Sequence, residues 1–269
     1  MSPDITVVIP TFRRPLQLME AVRSVLAQQG LQIEVIIVDD SPEASAEEAV
    51  AGLADSRVSY RKMAQPSMGR PALVRNAGWP EARGRFVHFM DDDDHMAEGA
   101  YATLIGALEA KPKIGVAFGR IEPFGDDPHE LQLQQAYFQK AASRARMSQR
   151  LRSRSLMVAN LLFMSSVLVT SACIIRRECL PSLKGYDSDC VLNEDVDFYL
   201  RAIRRFGYIY VDQVVMHYRT GEPSLMHDRD GEESLICTYK HIYGKYAAEY
   251  GAAELLALKV LARTMLRWV

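Results

Sequence analysis

Short apolar runs alternate with amphipathic segments through the first half of the chain. The runs are typical of buried parallel strands, and they predict strands over 5–9, 33–38, 58–61, 86–90 and 114–118. The segments between them carry apolar residues at helical spacing. They predict helices over 15–30, from a Ser41–Pro42 cap onward, over 69–82 with an interruption at Pro71, and over 98–110. Strands that alternate with helices form a parallel sheet with right-handed crossovers.

The second half of the chain is less regular. It predicts a loop over 123–129, a helix over 131–162 and a strand over 208–215. Asn193 is placed to cap a helix over 194–206, which Gly207 ends. A polar loop over 220–232 and a helix from 233 to the end complete the pattern. The expected fold is therefore an α/β sheet flanked by helices, with a helical C-terminal extension.

The stretch 157–175 is long enough to cross a membrane. Polar residues interrupt it, however, and β-branched residues cluster in its second half. We therefore predict a short helix followed by a buried strand over 166–175 rather than a membrane span.

Composition narrows the class of protein. The chain has 269 residues, 48% of them apolar, which suits one α/β domain with a helical extension. Its formal net charge of -2 provides no field that would attract nucleic acid. The four cysteines lack metal or redox spacing, and the N-terminus lacks a signal-peptide pattern. We therefore expect reduced thiols and a cytoplasmic location.

Four consecutive aspartates, 91–94, follow the predicted strand over 86–90. Ionised carboxylates this close together repel one another unless a cation compensates, and hard divalent cations prefer oxygen ligands. We therefore predict a Mn²⁺ or Mg²⁺ site flanked by Asp91 and Asp93, with Asp93 as the direct ligand, whereas Asp92 could face a ribose. The alternative is a solvated acidic turn before the next helix.

Asp39 and Asp40 follow the strand over 33–38, and Pro10 follows the first strand. Ligands of parallel sheets bind beyond the carboxyl ends of the strands, so we expect these residues and the aspartate run to meet in one crevice. A carboxylate there can accept a hydrogen bond from a nucleobase N–H or a ribose hydroxyl. The alternative to this ligand contact is that Asp39 and Asp40 only form a turn and helix cap, since Ser41 follows.

Glu194 and Asp195 open the predicted helix over 194–206. Acidic residues are ordinary in a first helical turn because of the helix dipole. The functional hypothesis makes Asp195 a general base that takes a proton from an acceptor hydroxyl.

The remaining candidate site residues are arginines, lysines and histidines. Arg70 and Arg75 precede the aspartate strand, where an arginine can bind a diphosphate or a carboxylate. His217 and His227 flank a polar loop and could complete a metal shell, although a lone histidine is more often structural. The basic stretch 140–154 is either a solvated helix face or a contact for an anionic lipid-linked acceptor or an anionic bilayer.

Six segments, in order and spacing, resemble the family-two glycosyltransferases with a GT-A fold. They are VVIPTFRRP (7–15), SVLAQQ (24–29), IIVDDS (36–41), VRNAG (74–78), GRFVHFMDDDD (84–94) and NEDVDFYLRAIRRFG (193–207). The resemblance implies a Rossmann-like, mostly parallel sheet and a catalytic domain over 1–220. Its nucleotide-sugar half would span 1–119 and its acceptor-side half 120–220, followed by a C-terminal loop and helical extension over 221–269.

The resemblance also implies an activity. Such an enzyme moves a sugar, with inversion, from a nucleotide-sugar donor that is usually linked to uridine diphosphate. The acceptor would be a carbohydrate or a lipid-linked saccharide, met in the cytoplasm or peripherally at the inner face of the membrane. The resemblance places Pro10 and Phe12 near the base, Asp40 on the nucleobase, Asp92 and Asp93 at ribose and metal, and Asp195 at the catalytic base position. With the residues argued above, Arg75 and Asp91 join the predicted nucleotide-sugar contacts, Asp91 and His217 the metal candidates, and Glu194 the catalytic pair.

One position departs from the family pattern. Family members commonly carry a tyrosine–arginine pair followed shortly by a histidine, but here Tyr218 and Arg219 are followed by Gly221. The third metal ligand is therefore open between His217, which is nearer in sequence, and His227.

Other functional classes fit less well. A degenerate module that holds nucleotide sugar without turnover is the alternative, and the intact acidic pair 194–195 and run 91–94 argue against it. A nucleotidyltransferase usually has a glycine-rich loop after the first strand, whereas 10–15 contains no glycine. No G-x-G-x-x-G motif follows a strand, which disfavours a dinucleotide-dependent oxidoreductase.

Overall fold

The computed structural model describes residues 2–67, 69–164, 168–221 and 231–266. The strands are β1 (Ile5–Thr11), β2 (Ile33–Asp39), β3 (Val58–Lys62), β4 (Phe86–Phe89), β5 (His95–Met96), β6 (Val116–Phe124), β7 (Cys173–Arg176) and β8 (Tyr208–Arg219). The helices are α1 (Pro15–Leu26), α2 (Glu47–Ala51), α3 (Pro71–Gly78), α4 (Ala100–Glu109), α5 (Pro128–Arg150), α6 (Arg154–Phe163), α7 (Leu180–Leu183), α8 (Glu194–Phe206), α9 (Gly231–Tyr250) and α10 (Ala252–Leu261). This is the α/β architecture that the sequence predicts.

All eight strands form one sheet in the order β3-β2-β1-β4-β7-β6-β8-β5. β3, β2, β1 and β4 run parallel, and β6 and β8 also pair in parallel. β7 pairs antiparallel with both β4 and β6, and β5 pairs antiparallel with β8. The carboxyl ends of β1, β2 and β4 therefore meet at one edge of the sheet. The aspartate run follows β4 at this edge.

Helices cover both faces of this sheet. In β1, Val7 and Ile9 pack with α1 and α4 on one face, whereas Val8 packs with α3, α6 and α8 on the other. All three side chains are fully buried, which explains why the strand is apolar at consecutive positions. Gly78 at the end of α3 allows a close approach, because a Cβ there would lie 2.6 Å from Val8 Cγ1.

Several predicted boundaries are wrong. The helix predicted over 131–162 is broken after Arg150, and the Ser153 hydroxyl caps α6 by accepting a hydrogen bond from Leu156 N at 3.1 Å. Pro71 begins α3 instead of interrupting it, because a proline satisfies the first helical position. Asn193 has a left-handed backbone and makes no side-chain cap to α8.

The segment 157–175 contains the end of a short helix, α6, and then a strand that begins only at Cys173. The predicted order of helix and buried strand is confirmed, but the strand is shorter, and part of the segment lies outside the described residues. None of the helices described here has the length and apolarity needed to cross a membrane.

The predicted Ser41–Pro42 helix cap is also wrong, because the Asp39 side chain organises this turn. Its carboxylate accepts hydrogen bonds from Ser41 N at 2.8 Å, Ala46 N at 3.0 Å and the Tyr60 hydroxyl at 2.9 Å. The chain therefore turns over these residues, and α2 begins only at Glu47.

We expect Asp39→Ala to lower the free energy of unfolding by about 3 kcal/mol or more, since it leaves several buried donors without an acceptor. Urea denaturation followed by circular dichroism measures this loss. Asp55→Ala is the control, because Asp55 pairs with Arg57 at the surface and its loss should cost less than about 1 kcal/mol. Equal effects of the two substitutions would contradict the structural role of Asp39.

Candidate active site

A cleft of about 320 Å³ opens at the carboxyl ends of β1, β2 and β4. The predicted site residues that line it are Pro10, Phe12, Asp40, Arg75, Asp91, Asp92, Asp93, Glu194 and Asp195. They come from three strand ends, from α3 and from the first turn of α8. Carboxylates from widely separated parts of the sequence thus face one space.

The aspartate run is the most acidic part of the cleft. Asp92 is almost fully buried and accepts a hydrogen bond from the Thr11 hydroxyl at 2.7 Å. Burial, and then the neighbouring Asp93, raise the pKa of Asp92 to about 7. Burial, and then the charge of Asp91, raise the pKa of Asp93, and burial followed by the charges of Asp93 and Asp91 raises the pKa of Asp94.

These carboxylates fit a divalent cation. Asp94 Oδ2 is buried and has no hydrogen-bond partner among the residues that the structure describes. Carboxylate oxygens are the ligands that Mn²⁺ or Mg²⁺ prefers, but Asp94 does not line the cleft, so a cation there would be held by Asp91, Asp92 or Asp93. Asp91 and Asp93 are the accessible candidate ligands, with side chains 34% and 24% exposed at the cleft.

Arg14 is a site residue that the sequence reasoning missed. Its Nη1 lies 2.5 Å from Asp93 Oδ2 and 3.6 Å from Asp92 Oδ1, so it offsets part of the negative charge. The TFRRP motif contained the signal, since an arginine directly after β1 lies at the same sheet edge as the aspartates.

Arg75 connects the aspartate run to α8. Its guanidinium donates to Asp91 Oδ1 at 2.5 Å and forms an ion pair with Glu194, and the residue is only 2% exposed. It also lies over the Tyr186 ring, 5.2 Å from the centroid. Because two carboxylates already engage it, Arg75 positions these acidic side chains, and its predicted contact with nucleotide sugar stays a prediction.

Asp195 lies half-buried at the wall of the cleft, in the first turn of α8. Its Oδ1 accepts a hydrogen bond from Val196 N at 2.8 Å. Desolvation by the surrounding protein, and then the charge of Glu194, raise the pKa of Asp195 to about 7. A carboxyl group with such a pKa is well matched to accept a proton near neutral pH.

The structure separates the roles of the two aspartates after β2. Asp39 faces the turn described above, whereas Asp40 lines the cleft. The Asp40 carboxylate accepts hydrogen bonds from Ser67 N at 2.5 Å, Ser67 Oγ at 2.8 Å and Gly69 N at 2.7 Å. It thereby fixes the chain before α3 at the rim of the cleft.

His217 and Arg70 are candidate residues that do not line the cleft. His217 lies on β8 opposite His95, with Nδ1 3.7 Å from Glu122 Oε2. Its neighbours Tyr218 and Arg219 do line the cleft, and Arg219 Nε donates to the Asp93 carbonyl oxygen at 3.0 Å. The geometry therefore does not favour His217 as the third metal ligand, and His227 lies outside the described residues.

Helix α9 anchors the loop that precedes α8. Lys245 of α9 forms ion pairs with Asp187 of that loop and with Asp197 of α8, and His241 lies 3.0 Å from Asp187. Asp187, Cys190 and His241 bring ligand atoms within 4.8 Å of one another. Because Lys245 and His241 already hydrogen-bond the carboxylate and lower the pKa of Asp187 against the effect of burial, we infer a structural cluster here.

The basic stretch 140–154 lies away from the cleft. Arg144 is buried and Arg146 pairs with Asp212 at 3.3 Å, whereas Arg150 and Arg152 are exposed. The same helix α5 instead contributes Glu130 and Gln134 to the cleft wall.

Comparison with known proteins shows the family to which the chain is related. The chain matches the family model described as glycosyl transferase family 2 over residues 6–180. It is similar to the GalNAc(5)-diNAcBac-PP-undecaprenol beta-1,3-glucosyltransferase of Campylobacter jejuni, with 34% identity over 105 residues. That match covers 38% of this chain and 34% of the relative, so the chain corresponds to about a third of that protein's length.

Solved structures resemble the whole fold. TarS 1-349 of S. aureus gives a TM-score of 0.64 at 16% identity and covers 91% of this chain and 65% of that one. The mannosyltransferase PcManGT of Pyrobaculum calidifontis, solved with GDP-Man and Mn²⁺, gives 0.58 at 15% identity and covers 98% of this chain and 82% of that one. At such identities the likeness shows the fold alone, and it confirms the GT-A type of sheet.

We expect Mn²⁺ affinity to weaken about tenfold between pH 8 and pH 6. The pKa of Asp92 is raised to about 7, so below that pH Asp92 is protonated and no longer adds its negative charge beside the candidate ligand Asp93. Electron paramagnetic resonance of free Mn²⁺ measures the binding. Asp93→Asn should abolish it and His217→Ala should leave it unchanged, whereas a pH-independent affinity would contradict this assignment.

Proposed function

Because the chain belongs to glycosyl transferase family 2, we propose that it transfers a sugar from a nucleotide-diphosphate sugar to an acceptor hydroxyl, with inversion at the sugar. One observation supports this above all. Asp40, the aspartates 91–93 and Asp195, from three separate stretches of the chain, line a single cleft.

The donor would lie along the strand ends. Asp40 and Pro10 would face the nucleobase, Asp92 the ribose, and Asp93 with Asp91 a divalent cation. One structural relative is TarS 1-349 in complex with UDP-GlcNAc, with a TM-score of 0.62 at 15% identity. We propose a uridine diphosphate-linked donor on this likeness and on the family resemblance of the cleft residues.

The proposed reaction is a single displacement. Asp195 takes the proton of the acceptor hydroxyl as that oxygen forms a bond to the sugar C1, and the bond from C1 to the diphosphate oxygen breaks. The electron pair leaves with the nucleoside diphosphate. A bound Mn²⁺ or Mg²⁺ would stabilise the negative charge that develops on this leaving group. Arg75 would hold Asp91 through their ion pair. Through Glu194, it would also fix the first turn of α8, which carries Asp195.

The acceptor and the location of the reaction are part of the proposal. The Campylobacter relative acts, by its name, on a saccharide carried by PP-undecaprenol. We propose a carbohydrate or lipid-linked saccharide acceptor, used in the cytoplasm or peripherally at the inner face of the membrane. Residues 1–220 would form the catalytic domain, and 221–269 an extension on its acceptor side.

The direct test is donor consumption. Purified protein with Mn²⁺ is incubated with a panel of nucleotide sugars, and release of free nucleoside diphosphate is followed by chromatography. We expect slow, chelator-sensitive hydrolysis of one donor, because water can replace the acceptor. A protein that binds donors but consumes none of them, with or without acceptors, would instead be a degenerate nucleotide-sugar-binding module.

We expect Asp195→Asn to lower kcat about 10²- to 10⁴-fold, because the amide cannot accept the proton. Donor affinity and thermal stability should stay close to those of the wild type, as measured by calorimetry and circular dichroism. Asp212→Asn is the matched control, since Asp212 is exposed on β8 and outside the cleft. An Asp195→Asn variant with full turnover would remove Asp195 from the mechanism.

Stereochemistry provides an independent prediction. A single displacement with one base inverts the anomeric carbon, so an α-linked donor should give a β-linked product or, in hydrolysis, the β-sugar first. Proton NMR of the anomeric signal during the first minutes of reaction measures this. An initial α-product would require a different mechanism.

A further inference from the structure

The segment 187–197 forms one wall of the cleft and carries the proposed base. Its cleft-lining residues are Val191, Leu192, Asn193, Glu194 and Asp195. Asn193 has a φ of 52°, a left-handed conformation that a non-glycine residue keeps only where the surrounding structure supports it. The position of Asp195 therefore depends on the contacts that hold this segment.

One lysine binds both ends of the segment. Lys245 Nζ of α9 lies 2.7 Å from Asp197 Oδ1, and the same ammonium group forms an ion pair with Asp187. The five cleft-lining residues all lie between these two carboxylates in the sequence. A link between its two ends restricts the conformations that the segment can take.

The contact between Lys245 and Asp197 is buried. The Asp197 side chain is only 2% exposed, and in the described part of the chain it pairs with Lys245 and Arg201. Arg201 belongs to α8 itself, with its Nε 2.8 Å from Asp197 Oδ2, so Lys245 is the partner that connects this carboxylate to α9. Loss of the lysine would leave a buried carboxylate with less compensation and would loosen α8 from α9.

The Asp187 end of the segment leads to the buried guanidinium of Arg75. The Asn76 side chain accepts a hydrogen bond from Tyr186 N and donates one to Tyr186 O, each at 2.8 Å. The Tyr186 ring stacks on Phe198 with the centroids 4.2 Å apart, and its centroid lies 5.2 Å from the Arg75 guanidinium. Since Arg75 pairs with both the aspartate run and the first turn of α8, a shift at Asp187 would reach both sides of the cleft.

Helix α9 holds Lys245 in a fixed position. Ile242 and Tyr246 are buried, lie four residues apart and belong to the same hydrophobic core as α8. His241 lies one turn before Lys245 and meets the same Asp187 carboxylate at 3.0 Å. The packing of α9 therefore keeps the ammonium group where both carboxylates can bind it.

We propose that Lys245 is a positioning residue for the sugar transfer, because it holds the segment 187–197, and with it Asp195, at the cleft. The inference rests on the proposed function and extends it, since it makes α9 part of the catalytic unit. Lys245 does not line the cleft, so it acts through Asp187 and Asp197 rather than on a substrate.

The test compares Lys245→Met, which keeps most of the side-chain length without the charge, with Lys245→Arg, which restores the charge. We expect Lys245→Met to lower kcat for donor hydrolysis with Mn²⁺ by up to about 100-fold, because a displaced base is less effective. The KM for the donor should change little, since the donor residues lie at the strand ends. Lys245→Arg should recover most of the lost kcat.

Hydrogen exchange of the free protein measures the same contact without turnover. In Lys245→Met the amides of 187–197 should exchange faster, whereas those of β1 and β2 should stay as protected as in the wild type. Lys240→Met is the matched control, because Lys240 is an exposed lysine on the same helix, and it should change neither kcat nor exchange. If Lys245→Met does not fold, Asp187→Asn removes one of the two ion pairs and carries the same expectations.

Unchanged kcat and unchanged exchange in Lys245→Met would overturn the inference. Equal acceleration of exchange in β1, β2 and 187–197 would also overturn it, since Lys245 would then serve overall stability, and so would a Lys245→Arg variant as slow as Lys245→Met. A wild type that consumes no donor would instead contradict the sugar transfer. In that case the exchange measurement still decides whether Lys245 holds the segment.

Discussion

The arrangement of the site depends on one buried guanidinium. Arg75 is held between Asp91 at the end of β4 and Glu194 at the start of α8, and it is almost completely excluded from solvent. Removing one partner from a buried ion pair costs on the order of 3–5 kcal/mol, because the remaining charges lose their compensation. Two chain segments over a hundred residues apart are thereby kept in a fixed relation, which a reaction between two bound substrates requires.

The rest of the electrostatics follows from an excess of carboxylates over cations in the same cleft. Arg14 reaches Asp93 and Asp92, but the guanidinium of Arg219 is directed to the Asp93 carbonyl and to Glu20. Burial, and then the charges of the neighbouring aspartates, raise the pKa values of Asp92 and Asp94. A cation that enters this site replaces protons, so that metal binding and deprotonation are coupled.

The sequence could predict those features that depend on local pattern. Buried strands with acidic ends can be recognised in the sequence, and parallel strands bring their carboxyl ends to one edge of the sheet. This reasoning placed Asp40 and the aspartate run at that edge. It could not separate Asp39 from Asp40, since their roles depend on which way each side chain leaves the strand end. It missed Arg14 and offered His217, which does not line the cleft, because the positions of both depend on contacts across more than seventy residues. Strand register and side-chain orientation are determined by tertiary contacts, so the periodicity of apolar residues along the chain does not predict them.

Asp195 lines the same cleft as the aspartate run, and this position bears on the proposed mechanism. The aspartate run enters the cleft after β4, whereas Asp195 enters it from the first turn of α8, so the two acidic groups belong to different elements. An inverting displacement needs the nucleophile to approach the sugar from the face opposite the leaving group. In the proposed reaction, a donor held by the aspartate run and an acceptor beside Asp195 would meet in this one cleft, and Arg75 keeps Asp91 and the start of α8 in the fixed relation that such an approach needs.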